Sequence, residues 1–161
     1  MADRFLALTP PPFEQPISGK DGRLTDAWRN WFGRLPSTLA SIPSILSTVA
    51  LATQAASLSA TSFQNYALLP GLYRASYHAQ ITRAATTSSS LTVAFLWTEG
   101  GIAQTATGDA IVGNTTGTGQ SDQYLILVDA GTAVQYQTTY SSVGGTTMQY
   151  SLNVSLEKIA V

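Results

Sequence analysis

The spacing of hydrophobic residues changes along the chain, from intervals of three and four near the N-terminus to alternation after about residue 63. Within residues 26–35 the large apolar residues lie three or four positions apart, which predicts one apolar face of a short helix. They are Trp28, Trp31, Phe32 and Leu35. Pro36 is expected to end this helix or to begin the next. So short a helix cannot bury these rings alone, so they must pack against another part of the chain, another copy or a partner.

Residues 37–62 continue with a helical spacing in a segment rich in Ser, Ala and Thr. Apolar or small residues at positions 39, 42, 46, 49, 53 and 56 alternate spacings of three and four, which is typical of a heptad seam. Because Pro43 is tolerated only in the first turn, the helix is expected to start near Ser41 or Ile42. Ser and Thr are poor helix formers, so this helix makes sense where copies bundle into a stalk. A flexible linker, or a helix lying on its own domain, is the alternative.

From about residue 63 apolar and polar residues alternate, which predicts short, half-buried β-strands. The alternation is visible within residues 72–83, 90–101, 133–142 and 147–161. Large aromatic side chains occupy the apolar faces of these strands: Tyr73, Tyr77, Phe95, Tyr136, Tyr140 and Tyr150. No helical spacing interrupts the strands, which favours an antiparallel β-sandwich or jelly roll over a parallel α/β fold. The stretch DQYLILVDAG is apolar on both faces and is expected to be a central strand covered on both sides.

These patterns divide the chain into three parts. Residues 1–36 form an N-terminal arm with an aromatic helix, residues 37–62 a helical stalk or linker, and residues 63–161 a β-sandwich domain. Consecutive prolines in TPPPFEQP favour an extended backbone for the arm. A length of 161 residues suits one compact domain with appendages better than two full domains.

Charge excludes some classes of partner. Charged residues make up only 11% of the chain, and the basic residues do not cluster beyond Arg23, Arg29 and Arg34. A phosphate-binding face needs several clustered Lys or Arg side chains, so nucleic acid is not expected as a partner. The most apolar stretch, LASIPSILSTVALA, is too short and too interrupted by Pro and Ser for membrane insertion.

The sequence contains few candidates for catalytic or metal-binding residues. His78 is the single histidine, it lies on the polar face of its predicted strand, and the chain has no cysteine. A zinc site needs three or four such ligands, and no nucleophile-elbow motif accompanies the serines. Asp109 is one acid where a calcium loop would need several. We therefore expect no catalytic residue, no metal site and no cofactor, and a protein that is not an enzyme.

Two stretches of the β region resemble a known family. ALLPGLYRASYHAQIT is similar to the opening of a C1q/TNF-like jelly-roll domain, and YSLNVSLEKIAV is similar to its closing strand. The resemblance implies a compact homotrimer with aromatic and aliphatic side chains stacked along the threefold axis. The six aromatic residues named above are then expected in the domain core or in the trimer interface.

The N-terminal stretch PPPFEQPISGKDGRLTDAWRNWF is similar to the start of small bacteriophage virion proteins. This resemblance implies a fibre or spike whose N-terminus docks onto other virion proteins, in the capsid, the portal or collar, or the tail. The expected docking residues are Phe13, Ile17, Trp28, Trp31 and Phe32. The expected seam of a trimeric stalk is Leu39, Ile42, Leu46 and Val49. The expected location is the virion, after assembly in the host cytoplasm.

Two alternatives remain, a capsid decoration or cement protein and a carbohydrate-binding or carbohydrate-cleaving module. A capsid decoration or cement protein would use the N-terminal arm to clamp coat subunits. A carbohydrate-binding module would stack a sugar on an aromatic side chain such as Trp97, and a host-surface glycan is a further candidate partner.

Overall fold

The structure, a computed structural model, describes residues 12, 14–20, 22–39, 43–63 and 68–160. The chain divides into two compact units, Met1–Ile42 and Pro43–Val161. The first contains helix α1 (Asp26–Leu39). The described part of the second contains β1 (Ser44–Gln54), β2 (Thr61–Ser62), β3 (Gly71–Arg83), β4 (Ser88–Glu99), β5 (Ile102–Thr107), β6 (Ile111–Val112), β7 (Gly119–Val128), β8 (Gln135–Val143) and β9 (Gln149–Ala160).

The strands of the second unit form a sandwich of two antiparallel sheets. One sheet, called here the four-stranded sheet, has the order β1-β9-β3-β7, and the other has the order β2-β8-β4-β5 with β6 paired to β4. Apart from the β4–β5–β6 run, successive strands cross from one sheet to the other. This is the strand order of a jelly roll, so the predicted fold class is confirmed.

The core lies between the two sheets and is rich in aromatic rings. Phe95 is fully buried, and its ring centroid lies 5.9 Å from that of Phe63, 6.1 Å from that of Tyr77 and 5.9 Å from that of Tyr124. The six aromatic residues predicted for the core or a trimer interface all lie in or against this single-chain core: Tyr73, Tyr77, Phe95, Tyr136, Tyr140 and Tyr150. These aromatic side chains therefore contribute to the core of a single chain.

A hydrogen-bond network crosses this core and attaches the segment after β1. The Tyr150 hydroxyl donates to the carbonyl oxygen of Ala56 at 2.8 Å and lies 2.8 Å from Thr138 Oγ1. The same Oγ1 accepts a hydrogen bond from the backbone N–H of Leu58 at 2.9 Å. Because Tyr150 and Thr138 are both buried, the bond between their hydroxyls satisfies polar atoms that water does not reach.

Replacing Tyr150 by Phe is expected to lower the free energy of unfolding by about 1–3 kcal/mol, because the Ala56 carbonyl and Thr138 hydroxyl lose a buried partner. Urea denaturation of both proteins measures the difference. Tyr136→Phe is the matched control, since Tyr136 is also buried and its hydroxyl makes no hydrogen bond to a described residue. Equal effects of the two substitutions would show that the network contributes nothing.

The helical stalk predicted for residues 37–62 is wrong over residues 44–54, which form strand β1 paired with β9. Leu46 and Val49 pack against the core of their own chain. Leu39 lies at the end of α1, and Ile42 lies outside the described residues. Irregularities in the register after Ile45 and after Leu51 shift which residues face inward. A bulged strand therefore spaces its inward residues by three as well as by two, which imitates a heptad.

Two further expectations need correction. The sequence of β7 predicts a central strand that is covered on both faces. In the structure β7 is instead an edge strand of the four-stranded sheet.

Helix α1 begins at Asp26 as predicted but runs past Pro36 to Leu39. Proline inside a helix removes the hydrogen bond to the carbonyl four residues earlier and crowds that carbonyl, but here the helix continues for three more residues. In the described part of the chain, this helix is neither long nor apolar enough to cross a membrane.

Candidate interaction surfaces

The N-terminal unit is held together by a short turn that precedes α1. Ser18 and Leu24 form an antiparallel bridge, and the Gly19 N–H donates to the Arg23 carbonyl at 2.7 Å. Gly22 takes a φ of 73°, which favours glycine because it lacks a Cβ. The Thr25 carbonyl accepts the first helical hydrogen bond, from the Arg29 N–H at 2.9 Å, which makes Thr25 the N-cap. Its hydroxyl donates back to the Pro16 carbonyl at 2.9 Å, so it fastens the arm to the helix.

An aromatic cluster lies on α1. Trp28 is 8% exposed, and its indole N–H donates to the Gln15 carbonyl at 2.9 Å. Its ring centroid lies 5.8 Å from those of Trp31 and Phe32. Trp28 is therefore the interior of this unit, and its role is to hold the arm against the helix.

The predicted docking residues separate into buried and exposed side chains. Ile17 is 57% exposed and Phe32 is 44% exposed, so both present apolar surface. Leu24, which sequence reasoning missed, is 43% exposed. Phe13 lies outside the described residues. Among the described side chains of the N-terminal unit, the large apolar ones that are exposed are thus Ile17, Leu24 and Phe32.

The outer face of the four-stranded sheet carries small, neutral side chains at its centre. His78 pairs with Ser121 of β7 on one side and with Asn153 of β9 on the other. The next row across the sheet pairs Ser76 with Gln123 and Ser155. Two shallow depressions of about 250 Å³ and 440 Å³ lie over these rows. Short side chains on a neutral sheet allow another surface to approach closely.

His78 is exposed, and its Nδ1 lies 2.8 Å from the Ser121 hydroxyl. Asp122 is the next residue along β7, so strand alternation places its side chain on the opposite, inner face. The acid of a Ser-His-Asp arrangement is thus not brought to this histidine. The residue belongs to the strand face, as the alternation predicts.

The outer face becomes apolar beyond the row of Ser76. Leu125 lies in the next row, opposite Arg74, and Leu127 lies in the row after that, opposite Leu72. Leu125 is 68% exposed, Leu127 is 50% exposed, and Ile45 at the other edge is 69% exposed. Between them the Arg74 guanidinium donates to the Glu157 carboxylate through Nε at 2.8 Å, so the two charges of this row neutralise each other. Leu125, Leu127 and Ile45 are called the apolar end below.

Trp97, the candidate for sugar stacking, packs against the jelly-roll core. Its indole N–H donates to Glu99 Oε2 at 3.4 Å. The ring is partly buried, and with Gln104 and Thr105 it lines a shallow depression of about 180 Å³.

No protein-family model matches the sequence, and no curated protein matches it. A chain in the structure of infectious bursal disease virus, Gx strain, is similar with a TM-score of 0.42 and 17% identity, over 73% of this chain and 32% of that chain. Eiger TNF from S. frugiperda is similar with a TM-score of 0.34 and 10% identity, over 73% of this chain and 94% of that chain. TM-scores this low carry neither family membership nor function to this chain.

Proposed function

We propose that this chain is a non-enzymatic bacteriophage virion structural protein, a homotrimeric fibre or spike that docks through its N-terminal unit and displays the jelly roll. The observation that carries the proposal is strand β7, an edge strand whose outward leucines are exposed in the single chain. Its sequence is apolar on both faces, which is typical of a strand that is covered on both sides. A second copy of the chain supplies the missing cover.

The outer face suits contact with another copy of itself. The residues of the apolar end would bury apolar surface against the second copy. The hydroxyl and amide groups of the central rows can both donate hydrogen bonds to that copy and accept them from it. The one ion pair of the face is already neutralised within the chain, so packing two faces brings no like charges together. Threefold closure is the arrangement that the resemblance to trimeric jelly rolls implies, and closure prevents growth into filaments.

The N-terminal unit suits docking because it presents exposed apolar side chains, whereas Trp28 is buried within the unit. Ile17, Leu24 and Phe32 remain exposed after the arm has packed on α1. Exposed apolar side chains of this size are the usual anchors of protein interfaces. The expected partner is another virion protein, and the expected location is the virus particle.

Replacing Ile17 and Phe32 together by Ser is expected to reduce incorporation into virus particles at least about tenfold, since each anchor contributes on the order of 1 kcal/mol or more. Quantitative immunoblotting of purified particles measures it. Ile102→Ser is the control, because Ile102 is 65% exposed but lies in the jelly roll. Trp28→Ala is unsuitable, since it removes the interior of the unit. Normal incorporation of the double variant would contradict docking through this unit.

The same particles distinguish a fibre from a cement protein. Particles that lack a fibre are expected to adsorb poorly to cells while their shells keep normal heat resistance. Shells that instead break at lower temperature would assign the protein to capsid decoration.

A further inference from the structure

His78 lies on β3 at the centre of the outer face of the four-stranded sheet, between β9 and β7. It pairs with Ser121 of β7 and Asn153 of β9, and its Nδ1 lies 2.8 Å from the Ser121 hydroxyl. The imidazole is exposed, and His78 lines the depression of about 250 Å³ on the β9 side. A second copy that covers this face therefore covers the imidazole as well.

The imidazole has no acidic partner among the described residues. Edge strand β1 contains no ionisable side chain. Arg74 and Glu157, further along the outer face, neutralise each other. Asp122 follows Ser121 on β7 but lies on the inner face, where its carboxylate accepts a hydrogen bond from the Tyr124 hydroxyl at 2.9 Å.

The other charged side chains of these four strands lie near strand ends. Arg83, at the end of β3, donates through Nε to the Thr147 carbonyl at 2.9 Å. Lys158 follows Glu157 near the end of β9. Imidazole is the side chain that ordinarily changes its charge between about pH 5 and 8. Among the described residues, His78 is thus the group at the centre of this face whose charge responds to mild acid.

Packing a second copy on this face brings no acid to the imidazole. The outward carboxylate of that copy, on Glu157, is already bonded to Arg74 of its own chain. The central rows otherwise offer hydroxyl and amide groups. A neutral imidazole can be covered while it keeps its bond to Ser121. An imidazolium would instead lose the water around its charge and gain no carboxylate in return.

We propose that His78 makes the interface between copies sensitive to pH, so that the homotrimer is stable at neutral pH and weakens on acidification. This inference rests on the proposed function, because it needs the outer face to be the interface. A covered imidazole favours its neutral form, so the free chain binds a proton more readily than the assembled chain does. Assembly therefore releases protons, and the association constant falls as the pH falls through the range in which imidazole becomes charged.

The size of the effect follows from the number of histidines that are covered. One pH unit below the midpoint of an ordinary imidazole, neutralising it costs about a factor of ten. Each of the three copies covers one imidazole, so the association constant of the trimer falls by up to about a thousandfold. Imidazoles that keep part of their water give a smaller loss.

Sedimentation equilibrium of the full-length protein tests the proposal, with moderate urea added where the trimer is too tight to dissociate. We expect the association constant to be at least about tenfold lower at about pH 5.5 than at about pH 7.5. His78→Gln keeps a polar side chain that does not titrate, so the ratio of its two constants should be close to one. Circular dichroism at both pH values checks that the strands persist.

A matched control moves the histidine to the other sheet. Thr139 of β8 is exposed and points outward, since its neighbour Thr138 is buried. Thr139→His combined with His78→Gln keeps one histidine and every carboxylate, and it should show no pH response.

The outcomes separate this inference from the proposed function. A wild-type association constant that is equal at the two pH values would overturn the inference and leave the trimer in place. Equal pH responses of the wild-type protein and His78→Gln would also overturn it. A single-chain mass already at neutral pH would overturn the proposed trimer, and this inference with it.

Discussion

Replacing Phe95 by Ala is expected to destabilise the jelly roll by about 3–5 kcal/mol, among the largest effects of a single substitution. Phe95 is fully buried, and three aromatic rings lie around it, those of Phe63, Tyr77 and Tyr124. These rings come from three different strands or connections, so the cavity cannot close by moving one element. Urea denaturation followed by circular dichroism measures the loss, which is a large share of the roughly 5–15 kcal/mol that stabilises a typical domain.

The neighbouring residue provides the control for this substitution. Leu96 follows Phe95 on β4, points to the outer face and is only partly buried. Leu96→Ala should therefore cost clearly less than Phe95→Ala. Equal losses would mean that the space between the sheets is not the main source of stability.

Replacing Leu125 and Leu127 together by Asp is expected to dissociate the proposed homotrimer into folded monomers. Each leucine buried in the interface contributes about 1.5–3 kcal/mol, and a factor of ten corresponds to about 1.4 kcal/mol. The double variant should therefore weaken self-association at least roughly a hundredfold. Sedimentation equilibrium measures the association constant, and circular dichroism checks that the strands persist.

A charge-matched double variant separates this effect from general repulsion. Ile102 and Val112 are 65% and 62% exposed, close to the values of the two β7 leucines, but they belong to the other sheet. Ile102→Asp with Val112→Asp adds the same charge and should leave the oligomer intact. Dissociation of both double variants would argue against the outer face of the four-stranded sheet as the interface.

Alternation predicted β3 and β4 correctly, although the pairing of β3 with β9 shifts register after Leu72 and after Ile81. Tyr73, Tyr77 and Phe95 face the core as their period of two indicates. Alternation did not predict strand β1. Its pairing with β9 is irregular, so the residues that pack inward, Leu46, Val49 and Leu51, are spaced by three and then by two. Period alone does not distinguish a bulged strand from a short heptad.

Features that depend on long-range register could not be predicted from the sequence. The loop after β5 is fastened to β7 by hydrogen bonds between the Gln120 side chain and the backbone of Asp109. The apolar stretch of β7 correctly indicates a strand with two apolar faces, but not that this strand lies at the edge of its sheet. Which strand lies at a sheet edge is a property of the topology, and no local pattern encodes it.

The solution mass of the full-length protein, measured by multi-angle light scattering, tests the central claim most directly. A homotrimer predicts three times the chain mass of 17.0 kDa over a range of concentrations, with the Leu125 and Leu127 double variant falling to a single chain mass. A mass of 17.0 kDa for the wild-type protein at every concentration would contradict the claim. The exposed leucines of β7 would then need a different protein to cover them.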